Sequence, residues 1–148
     1  MKAVLQRANG ASVTVDGEIV GGFEGEGLVA LVGVHKEDTP EDAARLARRI
    51  ATLRILEGER SLEDAGAPVL VISQFTLYGR TRKGTKPSWS DAAPGPVAEP
   101  LVDAVAQDLG QRGLTVSTGV FGAMMDVSLT NSGPFTVIVD TRETRSGK

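Results

Sequence analysis

The chain has 148 residues, a formal net charge of −3, and 41% hydrophobic and 24% charged residues, proportions typical of one globular domain. It contains no cysteine, which excludes disulfides and thiolate metal sites. No segment approaches the ~18 apolar residues of a membrane span, and the apolar run within Met1–Arg7 is too short for a signal peptide. We therefore expect a soluble, cytoplasmic protein.

The first third of the sequence predicts β-structure. Met1–Arg7 and Ala11–Val15 have the pattern of short strands, and Asp16-Gly17 is a type I′ hairpin signal that leads into Glu18–Val20. Gly27–Val34 is continuously apolar, which indicates a central strand covered on both faces.

Two amphipathic helices are predicted. Thr39 is a suitable N-cap, Pro40 suits the first helical position, and apolar residues then recur at helical spacing as far as Leu53. The second helix carries Val97, Leu101, Val105 and Leu109 on one face, and Pro100 should be tolerated there only within the first turn.

The remaining segments complete an α+β fold. Glu57–Pro68 reads as a polar loop, Val69–Ile72 as a buried strand and Gly79–Pro96 as a long basic loop, and three further strands follow at Leu114–Phe121, Met125–Asn131 and Phe135–Thr141. We expect a strongly curved, barrel-like mixed or antiparallel sheet with two packed helices. Residues 1–141 should form one domain, and residues 142–148 a polar tail that frays.

The polar groups suited to chemistry lie in two strand-edge segments, Ser73–Leu77 and Asn131–Thr136. Ser73 and Thr76 are candidate nucleophiles, but neither has an obvious base. The only histidine, His35, is expected at the surface end of a strand. No metal-ligand spacing and no phosphate-binding glycine motif is present, so we expect neither a metal nor a cofactor.

The charge distribution is uneven around the first segment. No acidic residue occurs between Asp64 and Asp91, a window that contains Arg80, Arg82, Lys83 and Lys86. Such a window can steer a polyanion, or it can be a solvated loop that happens to be basic. The residues alone therefore predict an α+β domain with a basic loop beside a hydroxyl-bearing site, and they do not specify a reaction.

Two motifs identify a family. Ser73-Gln74-Phe75-Thr76-Leu77 and Asn131-Ser132-Gly133-Pro134-Phe135-Thr136 resemble the signature motifs of D-aminoacyl-tRNA deacylases of the bacterial and eukaryotic type. The likeness extends from Gln6-Arg7-Ala8 through Gly119–Ala123 to the last strand. The resemblance implies a homodimeric hydrolase without a cofactor that cleaves the ester between a D-amino acid and the 3′-terminal adenosine of tRNA, and also acts on glycyl-tRNA. It implies tRNA as the partner, and neither DNA nor a membrane.

The resemblance also implies roles for individual residues. In the family the Gly-Pro peptide is cis and enters the neighbouring subunit's pocket, so Gly133 and Pro134 would capture the substrate's α-amino group and exclude L side chains, with Arg7 bracing their loop. Backbone N–H groups of Phe75 and Thr76 would stabilise the oxyanion, while the ribose 2′-hydroxyl assists attack; a nucleophilic Thr76 is the second interpretation.

Two binding surfaces follow from the same resemblance. Ser73, Gln74 and Phe121 would line the adenosine end of the pocket, and the cations Arg80, Arg82, Lys83 and Lys86 would contact acceptor-stem phosphates.

The sequence departs from the family pattern at four places. Met124 replaces a common Asp, Phe135 a smaller Val and Trp89 a Phe, and the loop Glu57–Ala65 is shortened. Two other functions remain open. The protein could be a non-catalytic RNA-binding module that uses the basic loop, or a small oligomeric hydrolase that acts on free metabolites.

Overall fold

One mixed sheet organises the chain. The computed structural model describes residues 1–144, whose elements are β1 (Lys2–Val15), β2 (Glu18–Gly33), α1 (Pro40–Thr52), α2 (Leu62–Ala65), β3 (Val69–Ser73), a 3₁₀ turn (Phe75–Tyr78), α3 (Gly95–Gln111), β4 (Val116–Thr118), β5 (Asp126–Asp140) and α4 (Thr141–Thr144). The strand order is β4-β3-β2-β1-β5. β1 is antiparallel to β2 and β5, whereas β3 is parallel to β2 and β4. The predicted α+β class is confirmed, and closure of the sheet into a barrel stays a prediction.

The hairpin between β1 and β2 forms where the sequence predicts it. Asp16 and Gly17 have φ angles of 50° and 80°, the positive pair that a type I′ turn requires. β1 bends here, because its register shifts between Asn9 and Ala11 against β2 and between Ala8 and Ala11 against β5. The first half of β2, which precedes the residues that pair with β3, approaches β4: the Ser117 hydroxyl donates to the Gly22 carbonyl at 3.0 Å. The sheet is therefore strongly curved.

Four of the predicted strands are parts of longer strands in the structure, whereas the predicted strand Leu114–Phe121 is shorter, Val116–Thr118. Met1–Arg7 and Ala11–Val15 belong to one strand, β1, and Met125–Asn131 and Phe135–Thr141 belong to one strand, β5. The predicted breaks are wrong because β1 and β5 pair with each other on both sides of their irregular segments. The Asn131 amide spans one irregularity, since its Nδ2 donates to the carbonyls of Arg7 and Phe135 at 3.0 Å each.

Both predicted helices form, with corrections. α1 begins at Pro40 as predicted. In α3 the predicted apolar face is wrong at Val97, which is 40% exposed, while Ala98 and Val102 are buried instead. Pro100 lies beyond the first turn of α3, so the expected restriction was also wrong. The predicted loop Glu57–Pro68 contains the short helix α2.

Two apolar clusters cover the two faces of the sheet. The larger cluster packs α1 and α3 against the sheet and contains the fully buried side chains of Leu46, Ile50 and Val105. The smaller cluster lies on the other face, is formed by side chains of β1, β2 and β3, and includes Val13, Leu70 and Ile72. Met125 and Val127 pack against this second cluster. This packing brings the start of β5 near the end of β3.

A buried polar network joins the start of β1 to α1 and α4. The Met1 ammonium lies 2.8 Å from Asp38 Oδ2 and donates to Thr141 Oγ1 at 2.6 Å. Thr141 Oγ1 in turn donates to Asp42 Oδ1 at 2.9 Å. Asp42 is fully buried and also accepts from the backbone N–H of Thr39 at 2.9 Å, so one carboxylate caps α1 and anchors α4.

Asp42→Ala is expected to lower the free energy of unfolding by about 2–4 kcal/mol, because it removes a helix cap and leaves buried donors without an acceptor. Urea denaturation measures the change. Glu41→Ala, on the same helical turn, is the matched control: its side chain is 85% exposed, and its 3.8 Å ion pair with Arg45 should contribute less than about 0.5 kcal/mol. Equal effects of the two substitutions would contradict the network's role.

The predicted polar tail begins in α4. Arg142 lies there with its Nη2 2.8 Å from His35 Nδ1 and 3.6 Å from Asp38 Oδ1. The rest of that tail, residues 145–148, lies outside the described residues. No helix within residues 1–144 is long and apolar enough to cross a membrane.

Candidate active site

A cavity of about 420 Å³ opens at the carboxyl end of β3. The first motif forms one edge of it, because Ser73, Gln74 and Phe75 all line the cavity, and Phe121 lines it as well. The structure thus brings together four of the residues predicted for the site. The volume of the cavity lies within the range of small-ligand pockets.

The backbone of the first motif turns sharply at the cavity edge. Gln74 N–H donates to the Val32 carbonyl at 2.7 Å, and this is the last hydrogen bond between the segment and the sheet. The hydrogen bonds of the 3₁₀ turn begin with Leu77 N–H to the Gln74 carbonyl at 3.2 Å, so the N–H groups of Phe75 and Thr76 precede that ladder. Thr76 is exposed and its hydroxyl accepts from the Gln74 amide, but Thr76 does not line the cavity.

Among residues 1–144 no ionisable side chain lines the cavity, and the polar side chains that line it are those of Ser73 and Gln74. His35 lies elsewhere: its Nδ1 contacts Arg142 and accepts from Glu37 N–H at 3.0 Å, and burial together with the Arg142 charge lowers the pKa of its imidazole. Residues 1–144 contain no group of three or more acidic or histidine side chains able to hold a metal. The described part of the chain therefore places no side chain in this cavity that could act as a general base.

Sequence reasoning missed the apolar walls of the cavity. They come from the end of β2 and the residue after it, from β3, from the start of α3 and the loop before it, and from the segment before and within β5, and comprise Val32, Val34, Ile72, Ala93, Gly95, Ala98, Val102, Gly122, Ala123, Met124, Met125 and Val127. Gly122 and Ala123 lie in the Gly119–Ala123 segment that shares the family likeness, whereas the aliphatic residues show only an apolar pattern, which is the same for a core residue and a pocket residue. Met124, a departure from the family pattern, is 93% exposed at this rim.

The second motif lies away from the cavity of its own chain. Gly133 and Pro134 are exposed in β5 and do not line the cavity. Two strands, β2 and β1, separate β5 from β3 at this level, a span of about 14 Å along the sheet. Within one protomer the two motifs therefore do not form a common site.

The expected cis peptide is not present. Within residues 1–144 no peptide bond is cis, so the prediction for Gly133–Pro134 is wrong in this structure. An X–Pro bond favours trans by about 0.5–1 kcal/mol. The Gly133–Pro134 segment is part of strand β5 here, and Gly133 has a φ of +110°.

Arg7 contacts the second motif. Its Nε donates to the Ser132 carbonyl at 3.1 Å, and its guanidinium carbon lies 5.0 Å from the centre of the Phe135 ring. A Cβ added at Gly133 would collide with the Arg7 guanidinium. The arrangement is compatible with the predicted bracing role, which stays a prediction.

The basic loop forms a short hairpin. Arg80 and Ser88 exchange two backbone hydrogen bonds of 2.8 and 3.0 Å, and Arg82, Lys83 and Lys86 are exposed on the turn between them. Arg80 differs from the other cations, because its guanidinium binds both Asp91 oxygens at 2.6 and 2.7 Å. This hydrogen bonding to Arg80 lowers the pKa of Asp91 below its ordinary value.

Comparison with known proteins identifies the family. The sequence profile of the D-Tyr-tRNA(Tyr) deacylase family matches residues 4–140. Proteins called D-aminoacyl-tRNA deacylase from Micrococcus luteus and Thermobifida fusca are 64% and 61% identical, covering 97% and 95% of this chain and 95% and 99% of their own length.

Two solved structures share the fold. The c-Myc DNA unwinding element binding protein has a TM-score of 0.87 at 36% identity, covering 95% of this chain and 98% of its own. A probable eukaryotic D-amino acid tRNA deacylase has a TM-score of 0.82 at 17% identity, covering 93% and 97%, which bears on the fold alone.

The fold and the matched sequence define an enzyme of the deacylase class. The chain belongs to the D-Tyr-tRNA(Tyr) deacylase family, and the resemblance inferred from the two motifs is confirmed.

Proposed function

We propose that this protein hydrolyses the ester bond of D-aminoacyl-tRNA, and that of glycyl-tRNA, in the cytoplasm where tRNA is charged. The observation that carries the proposal is the cavity beside Ser73, Gln74 and Phe75, which offers apolar walls and backbone donors and is lined by no ionisable side chain from the described residues 1–144. Such a site suits a substrate that brings its own reactive group and needs to be positioned.

The 3′-terminal adenosine is such a substrate. Its ribose 2′-hydroxyl is adjacent to the ester and assists the attack that releases the amino acid. Backbone N–H groups of Phe75 and Thr76, outside the hydrogen bonds of their 3₁₀ turn, stabilise the charge that develops on the carbonyl oxygen. Ser73, Gln74 and Phe121 bind the adenosine in the cavity.

A second copy of the chain completes the site. Gly133 and Pro134 are exposed and far along the sheet from their own cavity, so they can enter the cavity of a partner protomer. Within the described residues β5 is an edge strand of the sheet, and Ile138 on it is 70% exposed. Such an unpaired edge favours association, which supports a homodimer.

The same segment supplies the chiral filter. With the α-amino group held by main-chain carbonyls of Gly133 and Pro134, an L side chain points into the backbone and a D side chain points away from it. Two features stiffen this segment: proline fixes its own φ, and Arg7 holds the Ser132 carbonyl. Glycine has no side chain and passes.

The direct test is ester loss from D-Tyr-tRNA and L-Tyr-tRNA incubated with the full-length protein, with D-tyrosine methyl ester as a control that lacks the nucleotide. We expect the D-ester of tRNA to be cleaved at least roughly 100-fold faster than the L-ester. Survival of both tRNA esters alongside salt-dependent binding would instead indicate an RNA-binding module. Equal cleavage of the methyl ester would indicate a hydrolase of small metabolites.

Thr76→Ala should keep kcat within about tenfold of wild type, because a hydroxyl without a base is a poor nucleophile. Single-turnover deacylation of D-Tyr-tRNA measures the change. Thr85→Ala, an exposed threonine of the basic hairpin, is the matched control. A loss of about 10⁴-fold with an intact fold would mean that Thr76 is the nucleophile.

Lys83→Gln should reduce the slope of log K against log salt for tRNA binding by about 1, because one phosphate contact is lost. Arg80→Gln should change that slope less, since Arg80 is already paired with Asp91. Filter binding over a range of salt concentrations measures both slopes. Equal slopes for Lys83→Gln and wild type would remove the hairpin tip from the tRNA interface.

A further inference from the structure

An exposed aromatic pair lies at the mouth of the cavity. Phe75 and Trp89 are 56% and 44% exposed, and their rings meet edge to face with centroids 5.3 Å apart. Phe75 lines the cavity, but Trp89 does not. The adenosine site proposed above therefore leaves one large aromatic surface, beside its entrance, without a function.

The Trp89 ring is held in a fixed position. A Cβ added at Gly79 would lie 2.8 Å from Trp89 Cζ3 and 3.4 Å from Cε3, so the ring rests closely on the Gly79 backbone. The hydrogen-bonded pair Arg80–Ser88 and the Arg80–Asp91 ion pair flank the ring in sequence and fix the base of the hairpin. An indole fixed this way can receive a planar group at little cost in conformational entropy.

Cations continue the surface beyond the ring. Trp89 lies at the base of the hairpin, and the exposed Arg82, Lys83 and Lys86 lie toward its tip, about three residues or 10 Å further out. An aromatic surface followed by a row of cations is the arrangement with which proteins bind single-stranded nucleic acid, with bases stacked on rings and phosphates near the charges.

We propose that Trp89, supported by Phe75, stacks on the unpaired nucleobase that immediately precedes the terminal adenosine. The proposal rests on the proposed function for the location of that adenosine. It makes Trp89 a positioning residue, which fixes the path of the single-stranded 3′ end between the cavity and the cations of the hairpin.

The fluorescence of the protein provides a test that does not need hydrolysis, because Trp89 is the only tryptophan. The trinucleotide CpCpA should quench it, whereas adenosine alone, and a CpCpA analogue without the middle base, should bind without comparable quenching. Equal quenching by adenosine would assign the stack to the terminal base. Binding of CpCpA with unchanged emission, or no binding at millimolar concentration, would overturn the proposal.

Kinetics provide the second readout. Trp89→Ala should raise KM for D-Tyr-tRNA roughly 5- to 100-fold, the range of one lost base stack, and leave kcat nearly unchanged. It should leave the hydrolysis of 3′-O-D-tyrosyl-adenosine unaffected, and Trp89→Phe should restore most of the affinity for tRNA. Equal losses on both substrates would show that Trp89 only supports Phe75. Failure of the wild type on both substrates would count against the proposed function and leave the fluorescence result to decide on Trp89.

Discussion

Gly133→Ala is expected to lower kcat/KM for D-Tyr-tRNA by about 100-fold or more, since a misplacement of about 1 Å at a reacting centre has effects of that size. Gly133 has a φ of +110°, which an alanine rarely adopts. The added Cβ would also collide with the Arg7 guanidinium, so Arg7 must shift and its hydrogen bond to the Ser132 carbonyl is disturbed.

The matched control for this variant is Gly113→Ala. Gly113 also has a positive φ, +86°, but a Cβ there meets nothing within 4 Å. The control therefore carries backbone strain without the collision and should keep wild-type kcat/KM with a small loss of stability. Near-normal turnover by Gly133→Ala would contradict the assigned role of the second motif.

Arg7→Ala is expected to lower kcat/KM by about 10- to 100-fold through loss of positioning, while the fold persists. The guanidinium is the group that binds the Ser132 carbonyl and stacks near Phe135, so its removal lets the Gly133–Pro134 segment move. Steady-state kinetics and urea denaturation, measured together, separate this effect from a loss of stability.

Two further variants make the Arg7 result specific. Arg7→Lys keeps the charge without the planar fork and should show an intermediate loss. Arg60→Ala removes a guanidinium that pairs with Glu26 at 2.9 Å on the surface, away from the cavity residues, and should leave kcat/KM unchanged. Wild-type kinetics for Arg7→Ala would mean that the segment does not need its brace.

Local sequence signals predicted the elements that depend on local chemistry. The Asp16-Gly17 turn and the start of α1 at Pro40 form as expected, because turn and cap preferences act over a few residues. The continuity of β5 was not predictable in this way. It depends on pairing with β1, whose residues are more than a hundred positions away in the chain.

The candidate site was predictable in part for the same reason. Its polar edge, Ser73–Phe75, was found because hydroxyl and amide groups follow an apolar strand, but Ala98 and Val102 were assigned to no site because a pocket wall and a core face share one pattern. The contact between Arg7 and Ser132 spans 125 positions, and only the family resemblance indicated it. The family resemblance implied a cis Gly133–Pro134 bond, which is wrong in this structure, since tertiary context decides the isomer of an X–Pro bond.

The central claim, that each site combines the cavity of one protomer with the Gly133–Pro134 segment of another, is tested by mixed dimers. Gly95→Trp should block the cavity, since a Cβ at Gly95 points towards Phe121 at 3.7 Å without a clash, and Gly133→Ala disables the other half of the site. The two variants, co-expressed with different tags and purified through both, should regain about half of wild-type deacylation, because a twofold dimer then holds one intact site of two. Failure to isolate the mixed dimer, or a mixed dimer no more active than its parents, would contradict the account.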